Sequence, residues 1–420
     1  MKKLGLKILE LKLKYLAILF LKRYRPKIIA VTGSVGKSST KEAIFTVLSA
    51  HFKTRRSMGS YNNEIGVPLT IMGEETAGRN ILRWLFIFCR ALIKLIKQKD
   101  YPEILILELG VDKPGDLDYL LGFIKPEISV ITSIGAVHLE ALKTEKEVFI
   151  EKSKLAKRMK KRGIAVLNFD DQRLRQLGLK LKRKVVFYGL DAQANLSASD
   201  IRYTEVGMNF NFNWEGSKIP ARLNLFGSSA VYSALAASAC AISMGLDLVN
   251  IVKDLDGIRP LKGRMNLLKG INHSILIDDT YNSNPMSAEA NIKAASEMKK
   301  QLNSQRLVVV LGDMLELGKV SRRAHINIGR IAGRLADMII AVGDEAKAIK
   351  EGALESNKNT RWFKDSGKAS QKIKELIKKG DLVLIKGSQG VRMERISQVM
   401  LANKKDIKKL PRMTGVWKNR

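Results

Sequence analysis

Residues 27–42, KIIAVTGSVGKSSTKE, constrain the fold of this chain more than any other stretch. Residues 28–31 form an apolar, largely β-branched run that is typical of a strand buried on both faces. Gly33 and Gly36 permit a tight turn, and residues 38–40 begin a helix. Such a turn directs backbone N–H groups and the positive end of the helix dipole at an anion. The stretch therefore predicts a phosphate-binding loop.

The side chains of this loop indicate that the phosphate belongs to a nucleotide. Lys37 can reach the β- and γ-phosphates, and Ser38 supplies a hydroxyl for Mg²⁺. The usual eight-residue pattern has glycine where Val31 stands, so the loop is a variant with GxxGKS in place of GxxxxGKS. The residues predicted to contact the nucleotide here are Gly33, Ser34, Val35, Gly36, Lys37, Ser38 and Ser39.

Length and composition limit the class of protein. A chain of 420 residues that is 45% hydrophobic is expected to form two or three packed domains. Cys89 and Cys240 each lie in an apolar helical pattern, which favours reduced thiols in a cytosolic setting and excludes a disulfide framework. The net charge of +33 suits nucleic acid, an anionic membrane or anionic substrates, and equally a general basic bias. No RNA-binding motif accompanies it, so no specific nucleic-acid partner is expected.

Residues 1–25 are basic and apolar together. They carry eight Lys/Arg and one Glu among leucines and isoleucines. Their longest uncharged run, residues 15–21, is far short of the roughly 20 residues that span a bilayer. We expect a basic amphipathic helix that lies on an anionic membrane or packs on the protein. The protein is thus predicted to be cytoplasmic, with or without peripheral contact at the inner face of the membrane.

A second basic and apolar segment covers residues 81–96. Arg83, Arg90, Lys94 and Lys97 follow at spacings of seven, four and three, which places them on one face of a helix. Such a helix can lie in a lipid interface, or it can be a core helix whose cations reach solvent. The second interpretation is favoured.

Polar residues follow the next buried strands. Residues 103–110 and 127–134 read as strands, with Glu108 near the end of the first and His138 just beyond the second. Open α/β sheets bind ligands beyond the carboxyl ends of their strands, so both side chains are candidate metal ligands. Residues 57–72 are predicted to form a loop that displays polar side chains, among them Asn62 and Asn63.

A new α/β pattern begins near residue 257. Strands are predicted at residues 274–277, 307–311, 338–342 and 382–386, alternating with helices. The predicted fold class is α/β, with a central phosphate-loop ATPase domain built on a mostly parallel sheet and a Rossmann-like carboxyl-terminal domain. The expected boundaries are residues 1–26 for the amino-terminal helix, 27–259 for the central domain and 260–420 for the second domain.

An ordered set of segments resembles the Mur ligase superfamily of ATP-dependent amide-forming enzymes. The segments are TGSVGKSSTKE, GSYNNEIGVPLT, ELGVDKPGDLDYL, PEISVITSIGAVHLE, PLKGR, IDDTYNSNP, LGDMLELG and KGSQGVRME. The resemblance is strongest to the branch that adds D-alanyl-D-alanine to a UDP-N-acetylmuramoyl-tripeptide in peptidoglycan synthesis. It implies ATP and Mg²⁺ as cofactors, the UDP-muramyl peptide and D-alanyl-D-alanine as substrates, and a monomer.

The resemblance also implies a mechanism and a set of site residues. ATP converts a peptide carboxylate to an acyl phosphate, which an incoming amine attacks. Lys37, His138 and Lys152 would be catalytic, and Ser38, Glu108, His138 and Lys152 would hold Mg²⁺. The family often carbamylates a lysine in the helix after this histidine, which aligns with Lys152, with Lys154 as the alternative.

The remaining implied contacts fall into three groups. The nucleotide would meet Arg264, Asp278, Tyr281 and Asn282 of the second domain. The muramyl substrate would meet Ser60, Asn62 and Asn63. The incoming dipeptide would lie beside Lys386, Gly387 and Ser388.

Two departures from the family pattern leave other functions open. About 26 residues precede the first strand, so the family's amino-terminal UDP-binding domain is expected to be absent. Ser229, Ala230 and Ser233 stand where the family usually has a His-Asn pair and a further Asn. One alternative is a Mur-like ligase with a different, lipid-linked acceptor. Another is a non-catalytic ATPase bound to a membrane or nucleic acid, against which the complete metal set argues.

Overall fold

The structure, a computed structural model, describes residues 2–59, 61–137 and 139–413. The predictions for Ser60 and His138 therefore lie outside the described residues. Two sheets with helices on their faces confirm the predicted α/β class. Within the described ranges, no helix combines the length and the apolar character needed to cross a membrane.

The first sheet is mostly parallel and has β1 as the third of its nine described strands. Its strands are β1 (Lys27–Thr32), β2 (Thr54–Arg56), β3 (Ile104–Glu108), β4 (Ile128–Ile131), β5 (Ile164–Asn168), β6 (Lys184–Gly189), β7 (Leu196–Thr204), β8 (Gly207–Trp214) and β9 (Ser217–Leu223). Their order is β2-β3-β1-β4-β5-β6-β7-β8-β9, and β7, β8 and β9 pair antiparallel. Since β3 and β4 flank β1 on opposite sides, the turn after β1 lies at a switch point, where open sheets bind ligands.

Helices cover both faces of this sheet. They are α1 (Lys2–Tyr24), α2 (Lys37–Ser49), α3 (Gly66–Met72), α4 (Ile81–Lys97), α5 (Asp116–Leu121), α6 (Leu139–Leu142), α7 (Glu145–Lys157), α8 (Gln172–Lys180), α9 (Ser228–Ser243) and α10 (Leu248–Leu255). One core contains side chains of α1, α3, α4 and α7, and the other contains those of α2, α9 and α10. The alternating strand residues fill both cores, which explains the near-continuous apolar runs in the sequence.

Helix α3 corrects the prediction that residues 57–72 form one loop. Every residue of α3 is buried, because its apolar side chains pack under α1. Pro68 is tolerated because it lies in the first turn, where the backbone N–H has no intrahelical acceptor. The predicted loop is correct only up to Ile65.

The two basic and apolar helices pack on the protein in different ways. Helix α1 buries Leu13, Ala17 and Phe20 completely. It therefore packs on the protein, which was one of the two alternatives predicted for this helix. Helix α4 buries Trp84, Ile87 and Ala91 and leaves most of its other apolar side chains exposed. The interpretation of α4 as a core helix is therefore wrong.

The second sheet repeats the α/β pattern. Its strands are β10 (Asn266–Lys269), β11 (Ile275–Asp279), β12 (Leu307–Gly312), β13 (Met338–Val342), β14 (Thr360–Phe363) and β15 (Leu382–Lys386), in the order β10-β11-β15-β12-β13-β14. Its helices are α11 (Pro285–Gln301), α12 (Ser321–Leu335), α13 (Lys347–Leu354), α14 (Ser366–Leu376) and α15 (Glu394–Met400). Among the described strands of this sheet, only β10 pairs antiparallel, with β11. Phe226, which precedes α9, shares a core with Ile292 of α11, so the two halves pack together.

Candidate functional site

The turn between β1 and α2 has the predicted strand, turn and helix geometry. Gly33 has φ of 149°, and a Cβ atom there would lie 1.9 Å from the Thr132 hydroxyl oxygen. Gly36 has φ of 85° and is the N-cap of α2. No described side chain caps this end, so the first N–H groups of α2 remain available to an anion.

Hydrogen bonds hold the loop against the segment that follows β4. The backbone N–H groups of Ser34 and Val35 donate to the carbonyl and hydroxyl oxygens of Ser133, at 2.9 and 3.0 Å. The Ser34 hydroxyl accepts a bond of 2.9 Å from the Gly135 N–H. These bonds use the polar groups on one side of the turn and leave its helix side open.

Lys37 lies inside this turn. Its ammonium donates to the Gly33 carbonyl at 2.8 Å. Burial lowers the Lys37 pKa below its usual value, Glu108 and Asp112 oppose that shift, and Arg264 adds to it. A half-buried cation that also experiences the charge of Arg264 is an electrostatic environment that favours a bound anion.

A cavity of about 440 Å³ lies between the two sheets, in front of the loop. The predicted site residues that line it are Ser34, Val35, Gly36, Lys37, Ser38, Ser39, Asn62, Glu108, Arg264, Tyr281, Asn282 and Lys386. The structure thus brings residues from eight positions of the first half together with four of the second. The predicted residues absent from this lining are Gly33, Asn63, Lys152, Asp278, Gly387 and Ser388.

Glu108 ends β3 at the cavity wall. Its Oε1 accepts a bond of 3.3 Å from the Asn62 amide, and its Oε2 has no hydrogen-bond partner among the described residues. The ammonium of Lys41 lies 3.7 Å from Oε2 and donates to the Ser57 carbonyl at 2.7 Å. Glu108 therefore keeps one buried oxygen for a ligand, with a cation near it.

Lys152 and Lys154 occupy different environments on α7. Lys152 is completely buried, and its Nζ has no hydrogen-bond partner in the described part of the chain. Burial and then the Lys37 charge lower the Lys152 pKa well below its usual value. Burial also acts to lower the Lys154 pKa, but bonds to Asp118 and Glu151, at 2.6 and 2.5 Å, raise it overall. Lys154 is thus a paired ammonium, and Lys152 is an unpaired amine.

These groups fit a divalent cation only in part as they stand. Within residues 2–59, 61–137 and 139–413, no cluster of three His, Cys, Asp or Glu side chains could hold a metal ion. The free oxygen of Glu108 is a ligand that Mg²⁺ prefers, whereas the Lys152 amine is not. A carbamate on Lys152 would supply the missing oxygen ligand.

The opposite wall comes from the second sheet. The Arg264 guanidinium stacks 4.4 Å from the centre of the Tyr281 ring, and both line the cavity. Lys386 donates to Asp279 at 2.5 Å and to the Asn282 carbonyl at 3.0 Å. The Asn291 amide also donates to Asp279. The turn after β11 is therefore fixed by a buried ion pair.

Asp279, and not the predicted Asp278, reaches this cavity. The two residues are neighbours on β11, where successive side chains point to opposite faces. Asp278 is fully buried behind the wall and accepts bonds from Ser397 and Thr280, at 2.7 and 2.8 Å. Burial raises its pKa to about 7.

Three other predicted contacts have structural partners. Asn63 Oδ1 accepts bonds from the N–H groups of Ile65 and Gly66 at the start of α3. The Ser388 hydroxyl accepts from the Leu315 N–H and donates to the Ser283 carbonyl. Gly387 lies so close to Met393 that a Cβ atom would be 2.5 Å from it. Their roles toward a substrate remain predictions.

Sequence reasoning missed several cavity residues. It also missed Lys41, which does not line the cavity but lies 3.7 Å from Glu108 Oε2. Lys41 stands four residues after Lys37, on the same face of α2, which was a usable signal. Asn168 ends β5 and Asp170 follows it at the carboxyl edge of the sheet. The Tyr232 hydroxyl donates to Asp170 at 2.7 Å. That contact joins α9 to a distant strand end and has no local signal.

Comparisons with known proteins agree with this arrangement. The family model "Mur ligase middle domain" matches residues 90–241, and "Mur ligase, glutamate ligase domain" matches residues 263–389. The chain is 28% identical over 388 residues to the UDP-N-acetylmuramoyl-tripeptide--D-alanyl-D-alanine ligase of Bacillus subtilis, covering 91% of this chain and 78% of that protein. The Escherichia coli protein of the same name is 28% identical over 382 residues, covering 90% and 77%.

Solved structures agree as well. MurF from Acinetobacter baumannii superposes with a TM-score of 0.78 at 28% identity, covering 92% of this chain and 79% of that one. MurF ligase from Thermotoga maritima, in complex with ADP, gives a TM-score of 0.77 at 25% identity, covering 94% and 84%. On the two matching domains and these relatives, the chain belongs to the Mur ligase family.

Proposed function

We propose that this chain is an ATP-dependent ligase that adds D-alanyl-D-alanine to a UDP-N-acetylmuramoyl-tripeptide in peptidoglycan synthesis. The observation that carries the proposal is the cavity of a Mur ligase chain in which a phosphate-binding loop faces Arg264 and Tyr281 of the second sheet. The name of the relatives at 28% identity supports the choice of substrates. In this proposal residues 27–259 and 260–420 are the two domains that close on the nucleotide.

The reaction divides into two displacements. The tripeptide carboxylate attacks the γ-phosphorus of ATP, ADP leaves, and an acyl phosphate forms. The amine of D-alanyl-D-alanine then attacks the acyl carbon, loses a proton and expels orthophosphate, which leaves an amide. Both steps concentrate negative charge on phosphate oxygens, so catalysis depends on positioned cations and N–H donors.

The residues of the cavity supply these groups. The N–H groups at the start of α2 and the Lys37 ammonium would bind the phosphates from one wall, and Arg264 would bind them from the other. Ser38, Glu108 and His138 would hold Mg²⁺, which neutralises phosphate charge when bound. Asn62 would hold the muramyl peptide near Glu108, to which it already donates.

We include carbamylation of Lys152 in this proposal. Its amine is buried and has no hydrogen-bond partner among the described groups, and burial lowers its pKa, which favours the neutral form that attacks CO₂. The nitrogen bonds to the carbon, one proton is lost, and the product is a carbamate anion. Lys154 is charged and paired with Asp118 and Glu151, which supports Lys152 over Lys154.

Orthophosphate release tests the substrates. Purified protein is given ATP and Mg²⁺ with a UDP-muramyl tripeptide, with D-alanyl-D-alanine, or with both, and then with other acceptors and amino acids. We expect release only with both named substrates, together with a product heavier by one dipeptide. Release that needs a lipid-linked acceptor would replace the substrate assignment, and no release with any combination would contradict the ligase assignment.

Paired variants test the carbamate. Lys152→Ala should abolish orthophosphate release and recover part of it with short carboxylic acids, which place an oxygen ligand in the vacated space. Lys154→Ala is the matched control on the same helix and should keep most activity. Inactivity of Lys154→Ala, with full activity of Lys152→Ala, would transfer the role to Lys154.

A further inference from the structure

Helices α1 and α4 lie side by side on the surface of the first half. The Arg23 guanidinium donates to the Ile96 carbonyl at 3.1 Å, and the Tyr24 hydroxyl donates to the Lys94 carbonyl at 2.8 Å. Nearer the middle of α4, the Lys12 ammonium lies 6.0 Å from the centre of the Phe88 ring. Both helices contribute side chains to the same core, and each leaves its outer face exposed.

Helix α1 has two apolar faces, of which one packs on the protein and the other is exposed. The buried residues Leu13, Ala17 and Phe20 lie on the inner face. On the opposite face, apolar residues recur at spacings of four, three, four and four, which places them in one stripe along the helix. These exposed residues are Leu4, Ile8, Leu11, Tyr15 and Leu19.

Helix α4 repeats this arrangement. Its inner face is anchored by apolar contacts and by Glu74, a buried carboxylate that accepts from Arg90 and Lys94 at 2.6 Å each. Its outer face carries an apolar stripe that is exposed to solvent: Ile81, Leu82, Leu85, Phe86, Leu92, Ile93 and Ile96. The two stripes together define what we call the α1–α4 surface. Exposed apolar stripes on two neighbouring helices of a folded protein mark an interaction site.

The net charge of the two helices indicates which kind of partner the α1–α4 surface binds. Helix α1 contains seven Lys/Arg and one Glu, and α4 contains four Lys/Arg and no acidic residue, so together they carry a net charge of +10. Glu74, which pairs with Arg90 and Lys94, lowers this to +9. A second copy that docked through the same surface would bring two such charges face to face, which electrostatic repulsion opposes. Apolar stripes bordered by lysine and arginine on surface helices are the pattern of helices that lie in the headgroup region of an anionic bilayer.

We propose that the α1–α4 surface docks this protein on an anionic lipid bilayer. The apolar stripes enter the headgroup and acyl boundary while the flanking cations meet lipid phosphates. The helices lie flat on the membrane and stay packed on the protein core. This inference stands apart from the proposed ligase reaction, because it uses none of the cavity residues.

Vesicle sedimentation tests the proposal. At low salt, the protein should sediment with vesicles that contain phosphatidylglycerol and should bind pure phosphatidylcholine vesicles on the order of tenfold more weakly. Rising salt should weaken the binding, since charges are screened over about 8 Å at physiological ionic strength. No sedimentation with phosphatidylglycerol vesicles at low salt would overturn the proposal.

A matched pair of double variants locates the binding surface. Phe86→Glu with Ile93→Glu changes side chains of α4 that are 75% and 55% exposed. Leu179→Glu with Val249→Glu makes the same charge change at positions on α8 and α10 that are 75% and 53% exposed. We expect the α4 pair to reduce vesicle binding about tenfold or more and the control pair to reduce it less than about twofold. Equal losses would show that overall charge, and not the α1–α4 surface, controls binding.

A measurement on the unaltered chain removes any dependence on how the variants fold. Cys89 is exposed on the outer face of α4, whereas Cys240 is buried, so an environment-sensitive thiol dye should label Cys89 alone. Phosphatidylglycerol vesicles should shift the emission of this dye to the blue. No shift, together with a dimer in gel filtration that the α4 pair dissociates, would assign the surface to a second copy and overturn the membrane proposal.

Discussion

The charged groups of the two halves that form the cavity differ in whether they have hydrogen-bond partners. On the first wall, one oxygen of Glu108 has no hydrogen-bond partner among the described residues, and neither has the Nζ of Lys152, which is buried outside the cavity lining. On the second wall, the Lys386 ammonium and the Asp279 carboxylate are 2.5 Å apart, and the Asn291 amide adds a further bond. The first wall is arranged to receive charged ligands, and the second is arranged to hold its own turn in place.

This difference has an energetic meaning. A buried polar group without a partner costs about 1–3 kcal/mol of stability, so unpaired groups persist in a fold where a bound ligand completes them. A buried ion pair is destabilising to break, because the remaining charge is left without compensation. Variants that break the Lys386–Asp279 pair should therefore change the free energy of unfolding, whereas variants of the groups that are left without partners should change activity.

The largest expected effect comes from breaking the ion pair of the second wall. Lys386→Met should lower the free energy of unfolding by about 3–5 kcal/mol, because Asp279 is left as a buried, unpaired carboxylate. Denaturant titration measures the change. Lys293→Met, which removes an exposed pair with Glu289 on α11, is the control and should cost less than about 1 kcal/mol.

A second substitution sharpens this test. Adding Asp279→Asn to Lys386→Met should recover part of the lost stability, since no uncompensated charge remains. A Lys386→Met protein as stable as the original chain would show that the pair does not hold the turn.

The next effect should appear in activity. Lys37→Ala removes the cation of the phosphate loop and should lower the rate of orthophosphate release by a factor on the order of 10² to 10³. Lys27→Ala is the control, because Lys27 is exposed at the start of β1, the strand that leads into the loop. This variant should keep the original rate. The original turnover rate in Lys37→Ala would contradict the role of this loop.

A smaller effect should depend on pH. The pKa of Asp278 is about 7 in the folded chain and 3.8 as a free side chain, so the folded state binds an extra proton between these pH values. Stability from this group is therefore present at low pH and is lost as pH rises from about 4 to about 7. Asp278→Asn removes the titration and should gain stability relative to the original chain between pH 5 and pH 8, by on the order of 2 kcal/mol.

Thermal unfolding across this pH range measures the difference. Asp279→Asn is the control at the neighbouring position, and its loss of stability should not follow the same pH profile. A constant difference between Asp278→Asn and the original chain at every pH would show that Asp278 does not titrate there.

Local patterns made the first wall predictable from sequence. The strand, the turn and the start of α2 are consecutive, and Gly33 and Gly36 both have the positive φ that favours glycine. The second sheet was likewise visible from its apolar strands. The comparison of Asp278 with Asp279 shows where sequence prediction fails. A shift of one residue along a strand moves the side chain to the other face of the sheet, and the pairing of β11 with its neighbours decides which residue faces the cavity.

Contacts between distant segments could not be predicted. The state of Lys152 depends on packing that buries α7 against other elements, and its sequence neighbours do not indicate that it lacks a partner while Lys154 has two. The outer faces of α1 and α4 are a similar case. Their apolar residues were visible in the sequence, but burial in a core and exposure on a surface give the same pattern.

The smallest expected effect concerns Asn63, which the sequence assigned to the substrate and the structure places at the start of α3. Its Oδ1 accepts bonds of 3.3 and 2.9 Å from the N–H groups of Ile65 and Gly66. Asn63→Ala should therefore cost about 1 kcal/mol of stability, the usual value of such a cap. Asn63→Asp keeps the accepting oxygen and should restore stability.

The same two variants separate capping from substrate binding. If Asn63 acts only as a cap, Asn63→Asp should have the original KM for the muramyl substrate. A raised KM in a fully stable Asn63→Asp protein would place the side chain at the substrate as well. Asn62→Ala is the comparison, because Asn62 lines the cavity and donates to Glu108, so its loss should change activity more than stability. Equal losses of activity in Asn62→Ala and Asn63→Ala would contradict the assignment of Asn62 to the cavity and of Asn63 to the helix start alone.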